Sequence, residues 1–549
     1  MRNLSHILPR FFVHNLLGAA ALVTSGCSTT ENTELDAVIT GAEVHTISSD
    51  DNEKTITWIG VKDGKIEVLG SENDVQPTAK SIIDASGEHL YPGFIDAHGH
   101  IFGYAETLHT VSLFGTNSLD DCLDRIREFI DRNPEKDWII GRGWDQNDWP
   151  VAEFPTAQDL AEFEGVHLYL TRIDGHAAWV NQKVMDSFEI TPGMPITGGQ
   201  VLNGVLVDMA ETLVELPEYT NEFWRAALLQ AQDSLVKYGL TAMTDAGLSH
   251  GQILLLDSLI EEGKWHLAVN AMISNNEEDL RYFEQHGPIE KPLLRVKSVK
   301  AYLDGALGSR GALLRAPYHD LPQHYGLPLL SPAQLDSLRD RCLANDWQLC
   351  VHAIGDSAHH VLLESFYELP RDVDLRFRVE HAQIMTPEDS AFYEHPNIVA
   401  SVQPTHATSD MYWAHERLGE HRMDHAYSYQ RILNAAGLVA LGTDFPIEHI
   451  DPLATFYAAT TRKDANEWPE GGFLPEQRLT PEQTLMGMTR DAAYSAFGEK
   501  VYGSIRVGQL ANFTLLNTNL LDPSSSPRSK TNVTRTILLG KVLYEGKHE

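Results

Sequence analysis

Positive charge is scarce in this chain. Lys and Arg together number 42 among 549 residues, whereas Asp and Glu number 77, so the formal net charge is −35. Such an acidic surface repels nucleic acid and anionic lipid headgroups, and no basic stripe offers a binding site for either. The composition therefore argues against a nucleic-acid-binding function, and the simplest meaning of the acidity is a well-solvated surface.

Cysteine is also rare. The four cysteines are Cys27, Cys122, Cys342 and Cys350, and no pair has the CxxC spacing. This excludes a disulfide framework and a thiolate zinc site. We expect the last three to be buried as small apolar side chains.

Beyond the first residues, no apolar run is long enough to span a membrane. At the start, Arg2 and Arg10 precede a short apolar segment at 11–23, which ends in small residues before Cys27. A basic start, a short apolar core and small residues are typical of a secretory signal peptide. We therefore predict a signal peptide at residues 1–27, a polar tether at 28–34 and an exported protein.

Cys27 directly follows Ser25-Gly26, and this context resembles a bacterial lipobox. Cys27 would then carry a lipid anchor, and the protein would face the periplasm or lie at the outer membrane of a bacterium as a lipoprotein. His14-Asn15 interrupts the apolar core, and Thr24 stands where Leu is favoured. Ordinary signal cleavage and a buried N-terminal helix therefore remain alternatives.

Both ends of the mature chain are β-rich. Residues 35–91 contain short β-branched runs and an Asp63-Gly64 pair, which is typical of a tight hairpin. Residues 491–549 repeat this pattern at 512–516 and 533–544. The pattern predicts one small β-sandwich domain formed by the two termini together.

The middle of the chain, residues 92–490, alternates apolar β-like runs with helical patterns. Such alternation is typical of repeated βα units around a parallel sheet. Seven strand candidates stand out, at 93–96, 239–245, 296–303, 348–352, 377–381, 398–402 and 438–441. A long insertion at about 104–235 follows the first of them. We predict the α/β class and a (β/α)8 barrel of the TIM type, with fewer than eight strands recognised.

Residues 94–100, FIDAHGH, carry the sharpest local motif. Alternate residues of a strand face the same side, ~6.5–7 Å apart along the chain, so His98 and His100 point together. Neutral imidazoles on one face suit a zinc-type ion. Asp96 lies on the same face and is predicted to orient a ligand. Because 25 histidines produce such pairs by chance, the motif alone does not establish a metal site.

Four further candidate ligands lie at other strand ends. Lys300 lies within a strand run, His352 and His381 end theirs, and Asp444 follows the last run. The carboxyl ends of barrel strands converge on one face, where catalytic sites lie. Each residue alone has an ordinary structural explanation, but their coincidence after separate strands predicts a shared site. His406 and Asp410 also follow a strand end and are assigned no role.

These motifs resemble the amidohydrolase superfamily, in particular its branch of YtcJ-like proteins and N-substituted formamide deformylases. The resemblance extends from about residue 37 to residue 543. It rests on the run at 93–100, on Lys300…His352…His381…Asp444, and on the segments at 174–181, 300–310, 403–404 and 503–513.

The resemblance implies two divalent metal ions, with zinc as the expected metal. His98 and His100 would ligate one ion, His352 and His381 the other, and Lys300 would bridge them as a carbamate derived from CO2. An ammonium cannot ligate a metal, whereas the neutral amine adds CO2 to give an anionic oxygen donor. An unmodified Lys300 beside a single metal remains the alternative.

The resemblance also implies the catalytic residues. Water activated by the metal would attack a carbonyl carbon, and Asp444 would ligate an ion, accept the proton and pass it to the leaving nitrogen. His176 matches a pocket motif of the family, so it would polarise the carbonyl or orient the substrate. A structural histidine in the insertion is the alternative for His176.

The function predicted is hydrolysis of non-peptide C–N bonds in a small molecule: an amide, an N-substituted formamide or a cyclic amide. Two alternatives stay open. The same activated water could cleave an ester, a lactone or a phosphoester, or the chain could be a non-catalytic, metal-binding surface lipoprotein. The complete ligand set argues against the last. An oligomer is compatible with the sequence.

Overall fold

The computed structural model describes residues 34–47, 55–173, 177–196, 199–522 and 530–546. The predicted signal peptide, Cys27 and His176 lie outside these residues. Within the described part of the chain, no helix has the length and apolar character needed to cross a membrane. Cys122, Cys342 and Cys350 are buried and unpaired, as predicted.

The β-strands are β1 (Leu35–Thr40), β2 (Glu43–Val44), β3 (Trp58–Lys62), β4 (Lys65–Gly70), β5 (Ala79–Asp84), β6 (His89–Pro92), β7 (Phe94–Gly99), β8 (Val111–Ser112), β9 (Trp138–Trp144), β10 (His167–Arg172), β11 (Ala177–Val180), β12 (Gly199–Val201), β13 (Val205–Asp208), β14 (Leu240–Leu248), β15 (Ala268–Ser274), β16 (Ile289–Glu290), β17 (Leu294–Tyr302), β18 (Gln348–Ala353), β19 (Phe377–His381), β20 (Ile398–Val402), β21 (Ala440–Leu441), β22 (Phe513–Leu516), β23 (Val533–Leu538) and β24 (Lys541–Glu545).

The α-helices are α1 (Ile101–Thr107), α2 (Leu119–Arg132), α3 (Gln182–Ser187), α4 (Asn221–Lys237), α5 (His250–Glu261), α6 (Glu277–His286), α7 (Pro332–Ala344), α8 (Asp356–Tyr367), α9 (Pro404–Asp410), α10 (Ala414–Leu418), α11 (Tyr429–Ala436), α12 (Pro452–Thr461), α13 (Pro481–Gly487) and α14 (Arg490–Ser495). Short 3-10 helices lie at Gln146–Asp148, Ala157–Phe163, Met209–Leu213, Pro387–Glu394, Glu420–His425 and Pro475–Gln477.

Eight parallel strands form a nearly closed barrel, in the order β7-β14-β15-β17-β18-β19-β20-β21. Backbone hydrogen bonds just beyond β21 join the last strand to the first. The amide of Asp444 donates to the carbonyl of His98 at 2.7 Å, and the amide of His100 donates to the carbonyl of Phe445 at 2.8 Å. The predicted (β/α)8 barrel is confirmed.

The strand missing from the sequence prediction is β15, which lies between β14 and β17. Its sequence, AVNAMIS, is buried almost throughout. Val269 and Ile273 are its only β-branched aliphatic residues, and a polar Asn270 stands between them, so the run lacks the composition that marks a strand. Only its pairing with β14 and β17 in the structure identifies this segment as a strand.

The barrel helices carry clear start signals. Ser331 caps α7 by accepting a hydrogen bond from the amide of Gln334, whose side-chain oxygen accepts one in return from the amide of Ser331. Pro332 occupies the first turn. Leu335, Leu338 and Cys342 then recur at helical spacing and are buried. One face of α7 is thereby fixed on the barrel.

Between α1 and α4 the chain forms a separate six-stranded sheet, in the order β12-β13-β11-β10-β9-β8. This sheet has its own apolar core, in which Trp144, Trp149 and Trp179 pack together. α1 and α4 contact each other, so the inserted sheet leaves and rejoins the barrel at one place. The tryptophans therefore serve packing.

Two further sheets form the small β domain, in the orders β4-β3-β1-β5 and β2-β6-β22-β23-β24. They share one apolar core, to which Ile39 and Ile59 contribute from the first sheet and Phe513 and Ile537 from the second. β6 pairs with β22, so both termini build the second sheet, as predicted. Because β6 leads directly into β7, this domain anchors the first barrel strand.

Candidate metal centre and substrate cavity

Six predicted ligands meet at the carboxyl ends of the barrel strands. His98 lies near the end of β7 and His100 just after it, Lys300 lies in β17, His352 in β18, His381 at the end of β19, and Asp444 after β21. We call the six side chains the metal cluster. Parallel strands from distant parts of the sequence thus deliver them to one mouth of the barrel.

Asp444 lies at the centre of the metal cluster. Its Oδ1 is 3.2 Å from His100 Nε2 and 3.6 Å from His98 Nε2, while its Oδ2 is 3.9 Å from His381 Nδ1. Lys300 Nζ lies 3.3 Å from His98 Nε2. One carboxylate therefore faces both halves of the predicted ligand set.

His352 completes the ring of imidazoles. Its ring centroid is 4.5 Å from that of His381 and 5.6 Å from that of Tyr302. Its Nε2 lies 3.5 Å from Asp304 Oδ1. Asp304 also accepts hydrogen bonds from the amides of Ile354 and Gly355, so it fixes the loop that follows β18.

Two members of the metal cluster have an uncommon backbone conformation. His381 and Asp444 have φ values of 70° and 63°, in the left-handed region that L residues rarely adopt. His381 is the last residue of β19 and Asp444 follows β21, and this conformation turns the chain sharply at both places. Backbone strain of this kind is concentrated at functional sites, where the surrounding structure enforces it.

A buried ion pair behind His98 holds its ring. Glu380 Oε2 is 2.5 Å from His98 Nδ1, and the Arg378 Nε donates to Glu380 Oε1 at 2.7 Å. Burial would raise the pKa of Glu380, but Arg378 and His98 outweigh it and hold the pKa well below its usual range. This pair was not predicted from the sequence, although charges at alternate positions of a buried strand are an available signal.

Other polar side chains fix the backbone and rings around the metal cluster. Asp96 accepts hydrogen bonds from the amide of His98 at 3.0 Å and from Thr443 Oγ1 at 2.6 Å. Burial raises the pKa of Asp96 to about 7. Gln403 Oε1 lies 2.8 Å from His381 Nδ1. Asp96 thus positions His98 by accepting a hydrogen bond from its backbone amide.

The charge state of the cluster suits a cation. Burial lowers the pKa of His98 to about 4 and that of His352 to about 3, and it lowers the pKa of His381 strongly. These imidazoles are neutral at pH 7 and keep a lone pair for a metal. Burial also lowers the pKa of Lys300. For Asp444, burial opposes ionisation, but His100 and the other nearby histidines outweigh it and hold the pKa at about 2.

Two buried polar atoms at the centre have no hydrogen-bond partner among the described residues: Asp444 Oδ1 and His406 Nε2. Unpaired buried acceptors are costly, and a cation between them would satisfy both. Imidazole nitrogens and a carboxylate are the donors that zinc-type ions prefer. The residues present therefore fit a divalent metal.

His406 belongs to this centre, although the sequence analysis gave it no role. It lies on α9, with Nε2 3.7 Å from Asp444 Oδ2 and its ring 6.0 Å from that of His381. His381, His406 and Asp444 form one potential ligand group, as His98, His100 and Asp444 form another. The predicted second group, His352 with His381, is therefore joined by a third imidazole.

A cavity of about 820 Å³ opens above the metal cluster. Asp145 and Ile173 of the inserted sheet line one side, and Tyr302, Trp413 and Ile447 supply apolar surface. Asp410 also lines it, where it accepts hydrogen bonds from Gln383 at 2.9 Å and Tyr427 at 2.8 Å. The inserted sheet thus contributes to the walls, whereas the barrel supplies the floor.

The cavity carries more acidic than basic groups. Asp410 and Glu448 lie in its wall, whereas the wall cation Arg417 is paired with Asp320 at 2.5 Å. This distribution disfavours a strongly anionic substrate. His176 lies outside the described residues, so its role stays a prediction, although Ile173, close in sequence, lines the cavity.

A parallel barrel with imidazole, lysine and carboxylate side chains at its mouth defines a metal-dependent hydrolase. Residues 81–544 match the Amidohydrolase family, and the chain belongs to this family. The resemblance noted in the sequence is confirmed.

Two relatives and one solved structure are similar over nearly the whole chain. YtcJ of Bacillus subtilis (strain 168), whose name assigns it to the amidohydrolases, is 28% identical over 88% of this chain and 95% of its own. An N-substituted formamide deformylase of Arthrobacter pascens is 23% identical over 93% of this chain and 98% of its own. The crystal structure of an uncharacterized metal-dependent hydrolase from Pyrococcus horikoshii OT3 is 24% identical, with a TM-score of 0.75 over 88% of this chain and 98% of that one, which shows the shared fold.

Proposed function

We propose that this amidohydrolase cleaves non-peptide C–N bonds in a small molecule: an amide, an N-substituted formamide or a cyclic amide. The observation that carries the proposal is the metal cluster at the floor of an 820 Å³ cavity. The similarity to an N-substituted formamide deformylase supports the class of bond. The acidic wall argues against a phosphoester substrate.

The proposal includes two divalent ions, with zinc as the metal expected from the donor types. His98 and His100 would hold one ion and His352 and His381 the other, with Asp444 facing both groups. Lys300 would bridge them as a carbamate. Its side chain is buried and its Nζ lies 3.3 Å from His98 Nε2, so an unmodified ammonium would face an imidazole instead of solvent.

When bound, the metal supplies positive charge that lowers the pKa of water and polarises the substrate carbonyl. Asp444 accepts the proton of the attacking water on its carboxylate and transfers it to the leaving nitrogen. Glu380 keeps the His98 ring in place throughout, because it contacts Nδ1 and leaves Nε2 directed at the centre. Tyr302, Trp413 and Ile447 line the cavity, so they would contact the substituents of the substrate and exclude water around the scissile bond.

Substitution of Asp444 tests this assignment. We expect Asp444→Asn to lower kcat by about 10²–10⁴-fold or more, since it removes the proton acceptor and a ligand. Circular dichroism should show the native fold. Asp131→Asn, at an exposed position of α2, is the matched control and should keep full activity. Full activity of Asp444→Asn would exclude Asp444 as the proton carrier.

A substrate panel tests the class of bond. The zinc-loaded protein should hydrolyse N-alkylformamides or cyclic amides with a higher kcat/KM than matched esters, lactones and phosphate monoesters. A preference for the oxygen esters would replace the proposed function by esterase or lactonase chemistry at the same centre. Inactivity on every compound, with the metal bound, would favour a non-catalytic metal-binding protein.

A further inference from the structure

The small β domain contains a second group of metal-ligating side chains, which the catalytic mechanism does not use. Glu43 lies on β2, His45 follows that strand directly, and His89 begins β6. Ligand atoms of the three residues all lie within 4.8 Å of one another. We call these three side chains the β-domain cluster.

The distances within the β-domain cluster are those of ligands around a single ion. His45 Nε2 lies 3.2 Å from His89 Nδ1. Glu43 Oε2 is 3.4 Å from His89 Nδ1, and Glu43 Oε1 is 3.7 Å from His45 Nε2. Two atoms bound to a tetrahedral zinc ion at ~2.0–2.1 Å are ~3.3–3.4 Å apart. The three groups need only small movements to share an ion.

The surrounding structure holds the His45 ring in this position. The amide of His45 donates to the carbonyl of Leu90 at 2.8 Å, which fixes His45 beside β6. The His45 ring stacks on Tyr91, with centroids 4.6 Å apart and planes 10° apart. His45 is held by both backbone and side chain, so its ring nitrogen is directed at His89 before any ion binds.

Glu43 adds a charge and leaves the cluster accessible. Its side chain is 59% exposed, whereas those of His45 and His89 are 9% and 20% exposed. Asn519, after β22, donates to Glu43 Oε1 at 3.4 Å. Two imidazoles and one carboxylate, with an open side for water, satisfy the ligand preferences of zinc.

We propose that Glu43, His45 and His89 bind a zinc-type divalent ion, with water in the remaining position. This ion joins β2 to β6 at His89, five residues before β7 begins. It lies beside Asn519, from the C-terminal part of the chain. Its role is structural. It stabilises the small β domain that anchors the first barrel strand.

The experiment measures zinc binding at equilibrium. Full-length protein is dialysed against micromolar free Zn2+, and bound zinc per chain is determined by elemental analysis. His89→Gln and Glu43→Gln change the more exposed ligands and should fold normally. We expect His89→Gln to bind one zinc fewer than the wild type, and Glu43→Gln to reach the same occupancy only at higher free zinc. His286→Gln, at an exposed histidine on α6, is the control and should match the wild type.

A second readout separates this site from the catalytic centre. Zinc should raise the Tm of the wild type more than that of His89→Gln, because a ligand that binds only the folded state stabilises it. Turnover of the zinc-loaded variants should equal that of the wild type. Equal zinc content and equal Tm shifts in all variants would overturn the proposal and leave the rings sharing only a hydrogen bond. Loss of zinc together with loss of turnover would place the affected ion in the catalytic centre.

Discussion

Glu380 is buried between two side chains that both interact with its carboxylate. It contacts His98 Nδ1 on one side and the Arg378 guanidinium on the other, and all three side chains are fully buried. Arg378 also donates to the carbonyl of Ala97 at 2.7 Å, so the ion pair supports the backbone as well as the ring of the ligand. A single carboxylate thus contacts both the imidazole of His98 on β7 and the buried guanidinium of Arg378 on β19.

Substitution of Glu380 should therefore change two measurements. In Glu380→Gln the His98 ring loses its charged partner, so we expect metal affinity to fall about 10–100-fold. The buried Arg378 charge is left unpaired, which should lower the free energy of unfolding by up to about 3–5 kcal/mol. Zinc titration and urea unfolding give the two values.

Glu368→Gln, at an exposed position at the end of α8, serves as the control and should change neither value. If Glu380→Gln bound metal as tightly as the wild type, the orientation of His98 would have to come from β7 alone.

At the residue scale, the sequence predicted which side chains meet at the mouth of the barrel better than it predicted the side chains that support them. His98, His352 and His381 could be found because strand periodicity and strand ends place them. Glu380 and His406 could not be assigned in the same way, because their roles depend on which side chains lie across the barrel. That information comes from tertiary packing and not from local pattern.

Gly99 lies between His98 and His100 and allows β7 to pack closely against the segment after β21. A Cβ atom at Gly99 would lie 2.4 Å from Cε1 of Phe445, the residue after Asp444. The group that approaches this glycine is therefore an aromatic ring. The missing side chain lets β7 and the segment after β21 meet, and this contact closes the barrel next to the metal cluster.

Gly99→Ala should therefore separate these elements. We expect overpacking to lower the free energy of unfolding by about 1–3 kcal/mol and to reduce metal occupancy, because His98 and His100 move with β7. Thermal unfolding and metal analysis measure both effects. Gly165→Ala, where a Cβ meets nothing within 4 Å, is the control. Wild-type stability of Gly99→Ala would mean that Phe445 can move without cost.

At the element scale, seven of the eight barrel strands could be predicted, and β15 could not. The predicted strands have β-branched runs or end in ligand residues, whereas β15 has small residues and a buried Asn270. Its burial comes from β14 and β17 on both sides. The residues of the cavity wall could not be predicted from the sequence either, since Asp145 and Tyr302 reach the cavity from different sheets.

For the whole molecule, we propose export with a lipid anchor at Cys27. The proposal rests on the sequence of the first 27 residues. Cys27→Ser should release the protein from the membrane fraction into the soluble fraction, because the thiol that would carry the lipid is removed. Immunoblots of cell fractions measure this.

Ser28→Ala, next to the lipidation position, is the control and should stay membrane-bound. Continued membrane attachment of Cys27→Ser would contradict lipidation at this residue. Soluble wild-type protein in the periplasm would instead indicate ordinary signal cleavage.

The pairing of β6 with β22 affects the order in which the chain can fold during synthesis, because β22 is made long after β6. β6 leads into the strand that carries His98, yet one of its edges finds a partner only near the end of the chain. A nascent chain that stops before β22 leaves that edge open and lacks Phe513, Leu515 and Ile537 of the shared core. We therefore expect His98 and His100 to be firmly anchored only after β22 has been synthesised and has paired with β6.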